Sequence, residues 1–350
     1  MKFMHLADIH LGAAPDKGFA WAQGRDREIW ESFRRCMDDA NEKNVDLILI
    51  AGDLFHQPPR LQEIKEVNSL FAGLEKAVVV LIAGNHDYLT EDSPYRNFHW
   101  AENVVPLFSP TCERVRLPQL KTEIYGLSYY SQEIREPLYD RLMAENSPYF
   151  SILLAHGGDA GHIPMNRDAL LHSGFDYIAL GHIHKPSALI EEKAVYPGAL
   201  EPIDPGDLGA HGYIMGEVHR KHVKLTFEEV CLREYHRLKI PVAEEDTAYS
   251  LREKISAAID RYGAKNMYRI ILTGSRAPSM HPNLNAYMEC GRITDVEDRT
   301  VPALHIEDLH RHYRGSLIGD YIESFGHGEM SPVEEMALQL GLEALLYGEE

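Results

Sequence analysis

Five places in the 350-residue chain gather side chains that bind metal ions and handle phosphate: Asp8-Ile-His10, Gly52-Asp53, Gly84-Asn85-His86-Asp87, His156-Gly157 and Gly181-His182-Ile-His184. Carboxylate, imidazole and amide donors without thiolate suit Mn, Fe, Co or Zn better than a cysteine-rich structural zinc site does. Asp8, His10, Asp53, Asn85, His156, His182 and His184 are more donors than one four-coordinate ion takes. They suit two divalent ions roughly 3.5–4 Å apart, bridged by a carboxylate and water. Taken singly, the same residues have plainer readings: a Gly-Asn-His-Asp run makes a turn, and a His-x-His pair in a strand is structural.

The residues before each set say what must hold it. The sets close the apolar runs KFMHLAD, VDLILIAGD, AVVVLIAGNHD, YFSILLAHG and FDYIALGHIH. Runs of this length, bounded by turn residues, read as buried strands. Helical patterns lie between them at 26–44 and 61–74, so the chain reads as βαβ units building an α/β sheet. Such sheets bind ligands beyond the carboxyl ends of their strands. In extended chain, residues two apart share a side, which predicts that Asp8 faces with His10 and His182 with His184. Gly52, Gly84, Gly157 and Gly181 are expected to let the backbone turn and approach a ligand. The later runs AVYPGAL, GYIMGEV and KHVKLTFEEV read as hairpin strands closing a second sheet.

The pattern changes near EYHRLKIPVAEEDTAYS, where a linker strand leads into a helix over 248–262 and a strand at MYRIILTGS. The expected division is a catalytic domain over 1–241, a smaller α/β domain over 242–304 and a helical tail over 305–350. Leu309, Tyr313, Leu317, Tyr321 and Phe325 fall at helical spacing. A last helix starts with Ser331, Pro332 and Glu334 as a capping box. Its apolar stripe is Val333, Met336, Ala337, Leu340, Ala344 and Tyr347, widened by Leu338, Leu342, Leu345 and Leu346. Packing on the chain's own domain and docking to a partner are both open for it.

The formal net charge of −19 argues against a generally basic nucleic-acid binder, although bound cations can supply positive charge locally. No stretch approaches the ~18 apolar residues of a membrane span. MKFMHLADIH has no separate basic region and no small-residue cleavage site. Four scattered cysteines form no disulfide framework, so a cytoplasmic location is expected. Arg25, Arg27, Arg34 and Arg35 read as a solvated helix face balanced by Asp38 and Asp39, with contact to a DNA backbone as the alternative. His5 reads as a packed strand residue. His162 and His172 are assigned to no metal, and His305, His310 and His312 are expected to face solvent.

The ordered set D-x-H, GD, GNH[DE], H and GHxH resembles the calcineurin-like metallophosphoesterases. ADIHLG, AGDLFH, GNHD, GHIHKP and YPGAL resemble its SbcD group of DNA-repair nucleases, and within it the YhaO branch. The motifs span about residues 1–205. The resemblance implies a four-layer αββα sandwich with a smaller C-terminal cap domain and helical tail. It implies that Asp8, His10, Asp53 and His184 hold one metal and that Asp53, Asn85, His156 and His182 hold the other, with Mn²⁺ preferred. His86 would contact the scissile phosphate, Asp87 would accept the far N–H of His86, and His56 would lie near the DNA phosphate. The implied activity is a DNA exonuclease with endonuclease activity, working as a homodimer with a coiled-coil ATPase of SbcC type. A small-substrate phosphodiesterase of the same superfamily and a non-catalytic DNA-binding subunit are the alternatives.

Overall fold

The computed structural model describes residues 1–326 and 330–347, the side chain of Tyr347 excepted. The chain divides into two compact units, Met1–Tyr235 and His236–Glu350. The elements of the first unit are β1 (Lys2–Leu6), α1 (Arg25–Glu42), β2 (Leu47–Ala51), α2 (Leu61–Ala72), β3 (Val78–Ile82), α3 (Pro94–Asn97), β4 (Val104–Pro106), β5 (Glu113–Leu117), β6 (Thr122–Gly126), β7 (Phe150–His156), α4 (Arg167–His172), β8 (Tyr177–Gly181), β9 (Ser187–Ile190), β10 (Ala194–Tyr196), β11 (Gly212–His219) and β12 (His222–Glu229).

They form two six-stranded sheets, ordered β12-β11-β1-β2-β3-β4 and β5-β6-β7-β8-β10-β9. In the first, β1 to β4 run parallel, β11 adds antiparallel beside β1, and β12 adds antiparallel beside β11. In the second, β6, β7, β8 and β10 run parallel between antiparallel β5 and β9. Phe3, Leu49 and Ile82 of the first sheet pack against Ile124, Ile152 and Leu154 of the second. The outer face of the first sheet is covered by Ile29 and Phe33 of α1 and by Ile64 and Phe71 of α2. Tyr139, Phe175 and Leu170 of α4 cover the outer face of the second. The result is a four-layer αββα sandwich. Burial on both faces explains why β2, β3 and β7 read as unbroken apolar runs rather than alternating ones.

His5 is a packed residue: its Nε2 donates to the Leu180 carbonyl (3.1 Å) and its Nδ1 accepts from the Tyr177 hydroxyl (2.9 Å). It ties β1 to β8, and burial pushes its pKa down to about 3.

One expectation is corrected here. β11 and β12 do form a hairpin, but they extend the first sheet beside β1, while only β10 joins the second. An apolar pattern fixes which face of a strand is buried, and it carries no information about which of two edges accepts the strand.

The second unit begins with a strand, β13 (Tyr235–Val242), followed by α5 (Ala248–Tyr262), β14 (Met267–Arg276), α6 (Leu284–Tyr287) and β15 (Ile293–Pro302). β13 is no linker: it pairs in the sheet β13-β14-β15, and its Leu238, Ile240 and Val242 enter the core with Leu251, Ile255 and Ile259 of α5. The two compact units therefore divide after Tyr235 rather than after residue 241. The tail pattern, expected as one helix, is two, α7 (Ile306–His312) and α8 (Leu317–Ser324). Gly315 at φ +75° breaks it, and the Ser316 side chain caps α8 by accepting from Gly319 N. His305 and His312 are exposed, whereas His310 is half-buried beside Glu323.

In the last helix, α9 (Pro332–Tyr347), Ser331 and Glu334 form the expected reciprocal cap. Leu338 and Leu342 are buried against Ile322, while Val333, Met336 and Leu340 are 76%, 63% and 61% exposed. The Tyr347 side chain lies outside the described residues. All four cysteines are free, and among the described residues no helix is long and apolar enough to cross a membrane.

Candidate metal centre

The loops after β1 and β2 are zipped together beyond the strands. Asp8 N donates to Gly52 O (3.2 Å), His10 N to Asp53 O (3.0 Å) and His56 N to Leu11 O (3.0 Å). In the second sheet Gly157 N donates to Gly181 O (3.1 Å), and across the sandwich the His182 amide donates to the Asp8 carboxylate at 2.9–3.0 Å. The carboxyl edges of both sheets thus close on one point. The route differs from the expected extended geometry. β1 stops at Leu6, and Asp8, His10, Asp53 and His182 have φ of 50°, 53°, 50° and 99°. Left-handed backbone at non-glycine residues is costly and concentrates at functional sites, where the surroundings enforce it. Close approach also sets what Gly84 must be: a methyl group there would overlap the Asp53 carboxylate.

The donor atoms converge in a way that calls for cations. His156 Nδ1 lies 2.8 Å from the Ala51 carbonyl, which only accepts, so Nδ1 carries the proton. In the neutral ring the Nε2 lone pair then faces Asn85 Oδ1 at 2.9 Å and Asp53 Oδ2 at 3.3 Å. His10 Nε2 and His184 Nε2 face each other at 3.0 Å. Asp8, His10 and His184 offer ligand atoms within 4.8 Å of one another, as do Asp8, Asp53 and His156. A proton or a metal ion must lie between such facing lone pairs, and carboxylate, amide and imidazole donors in this number fit divalent ions.

Two carboxylates that the sequence did not single out hold the half-exposed histidines. His184 Nδ1 lies 3.1 Å from Asp207, which also accepts from the amides of Ile203 and Asp204. His182 Nε2 lies 2.7 Å from Asp159, leaving Nδ1 to face Asn85 Oδ1 at 3.1 Å. Each carboxylate fixes a tautomer and aims the opposite nitrogen inward. His162 shares Asp159 at 2.9 Å, and its ring lies 4.5 Å from that of His182. A carboxylate three residues after His156 was the one sequence signal for Asp159. Asp207 had none, because only the fold brings it to His184. His172 bonds within its own helix.

Asp8, His10, Asp53, Asn85 and His156 are buried, while His56, His86, His182 and His184 form a half-exposed rim. His86 Nδ1 donates to the His56 carbonyl (3.0 Å), its amide donates to Asp53 Oδ1 (2.8 Å), and its ring stacks on His56 at 5.3 Å. This corrects the expected role of Asp87, which does not meet the His86 ring. Asp87 is fully buried and accepts from Gly84 N (2.7 Å) and Phe55 N (3.2 Å), stapling the third strand's loop to the second's. The tautomer of His86 is set by a backbone carbonyl that no sequence pattern reveals. Arg25 is corrected as well: it is buried and pairs with Glu28 at 2.8 Å and Asp16 at 3.5 Å, so it is neither a solvated nor a DNA-facing residue.

Burial opposes charge on His156 and His184. The carboxylates beside them, Asp53 for His156 and Asp207 for His184, outweigh it and push both pKa values up to about 9. Burial would raise Asp53, but His156 and its neighbours hold it well below the usual range. An entering ion must displace the two imidazole protons, so affinity is lost as pH falls below about 9. We expect each site to gain about one log unit of affinity per pH unit up to that point. Titration calorimetry in buffers of different ionisation enthalpy measures the released protons, and a pH-independent affinity would contradict the arrangement.

A two-sheet α/β sandwich with histidines and carboxylates at its joined carboxyl edges defines a metal-dependent phosphoesterase. Residues 1–186 match the calcineurin-like phosphoesterase family, and the chain belongs to it. The family binds divalent metals. The chain is 29% identical over 299 residues to the uncharacterized metallophosphoesterase YhaO of Bacillus subtilis, covering 79% of this chain and 72% of that protein. It is 28% identical over 268 residues to the DNA double-strand break repair protein Mre11 of Methanopyrus kandleri, covering 66% of this chain and 57% of the other. With the DNA double-strand break repair protein Mre11 of Aeropyrum pernix it shares 31% over 236 residues, 60% of this chain and 56% of the relative. The chain therefore spans little more than half the length of these two archaeal proteins.

Proposed function

We propose that the chain is a two-metal DNA nuclease, an exonuclease with endonuclease activity, hydrolysing phosphodiester bonds in DNA repair. The observation that carries the reading is the buried convergence of His156 Nε2, Asn85 Oδ1 and Asp53 Oδ2 below a half-exposed rim that holds His86. The relatives named for DNA double-strand break repair support the substrate. In this reading Asp8, His10, Asp53 and His184 hold one ion, and Asp53, Asn85, His156 and His182 the other, with Mn²⁺ preferred. When bound, such ions lower the pKa of water and neutralise charge on the phosphoryl oxygens. Asp53 faces both sets, since its Oδ2 lies 3.3 Å from His156 Nε2 and 3.9 Å from His10 Nε2. Among the described residues no group bonds His86 Nε2, which is placed for the phosphate or the leaving oxygen. His56 lies against it, supporting the ring through stacking and through its carbonyl. The test is end-labelled linear DNA and a chromogenic diester offered side by side with Mn²⁺, with EDTA as control. Metal-dependent cleavage of DNA supports the reading, and turnover of the diester alone would favour a small-substrate phosphodiesterase.

The working assembly we infer is cytoplasmic, a homodimer joined to a coiled-coil ATPase of SbcC type. Val333, Met336 and Leu340 recur at helical spacing on the exposed side of α9, a pattern suited to helix-in-groove docking. Changing all three to Asp should abolish ATPase binding in a pull-down and leave diester turnover unchanged, because Leu338 and Leu342 keep α9 on its own unit. Undiminished binding would remove α9 from the interface.

A further inference from the structure

The first unit carries a second feature at the edge where the metal centre lies. Between the N-terminal halves of α1 and α2 runs a groove of about 450 Å³, lined by Arg27, Trp30, Arg34, Arg60, Glu63 and Glu66. Its carboxylates are engaged. Glu66 pairs with Arg34 at 2.5 Å, and Glu63 caps α2 by accepting from Arg60 N at 2.8 Å. The Arg34 guanidinium lies 5.6 Å over the Trp30 ring. Arg27 and Arg60 are exposed, and among the described residues no carboxylate pairs with either guanidinium.

Their positions work against helix stability. Arg27 is in the first turn of α1, beside Asp26, and Arg60 is the N-cap of α2. The positive end of a helix disfavours cations there by several tenths of a kcal/mol or more. The helix ends are served by acidic residues instead, Asp26 and Glu28 in α1 and Glu63 in α2, which leaves the two guanidiniums without a structural task. Two exposed, unpaired guanidiniums facing one groove make a site for anions. The groove also adjoins the loops that carry His10 and His56. A Cβ on Gly12, two residues beyond His10, would lie 3.2 Å from Glu63 Oε1, and Arg60 follows His56 by four residues.

We propose that this groove binds the phosphate backbone of a nucleic-acid strand, holding phosphates that flank the one at the metal centre. The inference rests on the DNA reading above and adds how a chain of net charge −19 grips a polyanion: through a confined basic groove rather than a basic surface. A small diester has no flanking phosphates and makes no use of the groove.

The experiment compares wild type with Arg27→Ala/Arg60→Ala, measuring KM for linear DNA over a range of salt concentrations and kcat for bis(p-nitrophenyl) phosphate. The double variant should raise the DNA KM by roughly tenfold per arginine. It should also flatten the slope of log KM against log salt by about 0.7–0.9 per arginine, the counterion release of one phosphate contact each. Diester turnover should match wild type, and Arg27→Lys/Arg60→Lys should restore most of the slope. An unchanged KM and slope would overturn the groove while leaving the nuclease reading intact. Equal loss on DNA and diester would overturn it too, by placing the effect in the centre. A wild-type chain that turns over the diester but never cuts DNA would overturn the nuclease reading itself, and the groove with it.

Discussion

His86→Ala should bind metal like wild type and hydrolyse phosphodiesters about 10²–10⁴ times more slowly, the usual contribution of a positioned acid–base group. The expectation follows from what each part of the residue does. Its backbone amide donates to Asp53 Oδ1 and survives the substitution. Among the described residues its side chain bonds through one nitrogen only, to the His56 carbonyl, which leaves Nε2 on the open rim. If Nε2 serves the leaving oxygen, the defect should be greater on DNA, whose leaving alkoxide needs a proton, than on a nitrophenyl diester, whose leaving group does not. Initial rates on the two substrates, beside metal content by mass spectrometry, read this directly. Full activity, or a loss of metal, would remove His86 from the assigned role.

Asp53→Asn should lose both ions together and all measurable activity. Asp53 Oδ2 faces His156 and His10, and the Asp53 charge supplies most of what holds the His156 proton in the absence of metal. The near-isosteric amide keeps the space that Gly84 leaves for it, so the fold should persist. The loss of affinity should exceed the roughly 10–100-fold cost of removing an outer partner such as Asp207. Calorimetric titration of the variant tests it. Retention of one tight ion would show that Asp53 belongs to a single site.

Much of this was legible because burial on both faces leaves a blunt signal. LILIA and VVVLI could be little else than central strands, and the carboxyl ends of such strands are where polar residues must be explained. All seven donors do lie at that edge. The backbone that brings them there was not legible. Asp8 and His10 share a side through left-handed residues beyond β1, not through strand alternation, and the apolar pattern of a strand does not mark where such residues begin. Asp87 looked like a partner for His86 because they are neighbours in sequence. In the fold its oxygens meet the amides of Gly84 and Phe55 instead. Asp207 and the edge chosen by β11 depend on contacts between residues far apart in the chain, which spacing does not encode. In the tail, the helical period of Leu309 to Phe325 was real, yet Gly315 and the capping Ser316 were local stop signals that outweighed it.

The central claim is that the joined strand ends form a two-ion hydrolytic centre, and the stoichiometry of metal per chain tests it most directly. Purified apo chain titrated with Mn²⁺, with diester turnover followed in the same samples, should bind two equivalents. Activity should stay low through the first equivalent and rise with the second. Saturation at one ion per chain with full activity, or turnover undiminished by EDTA, would contradict the account.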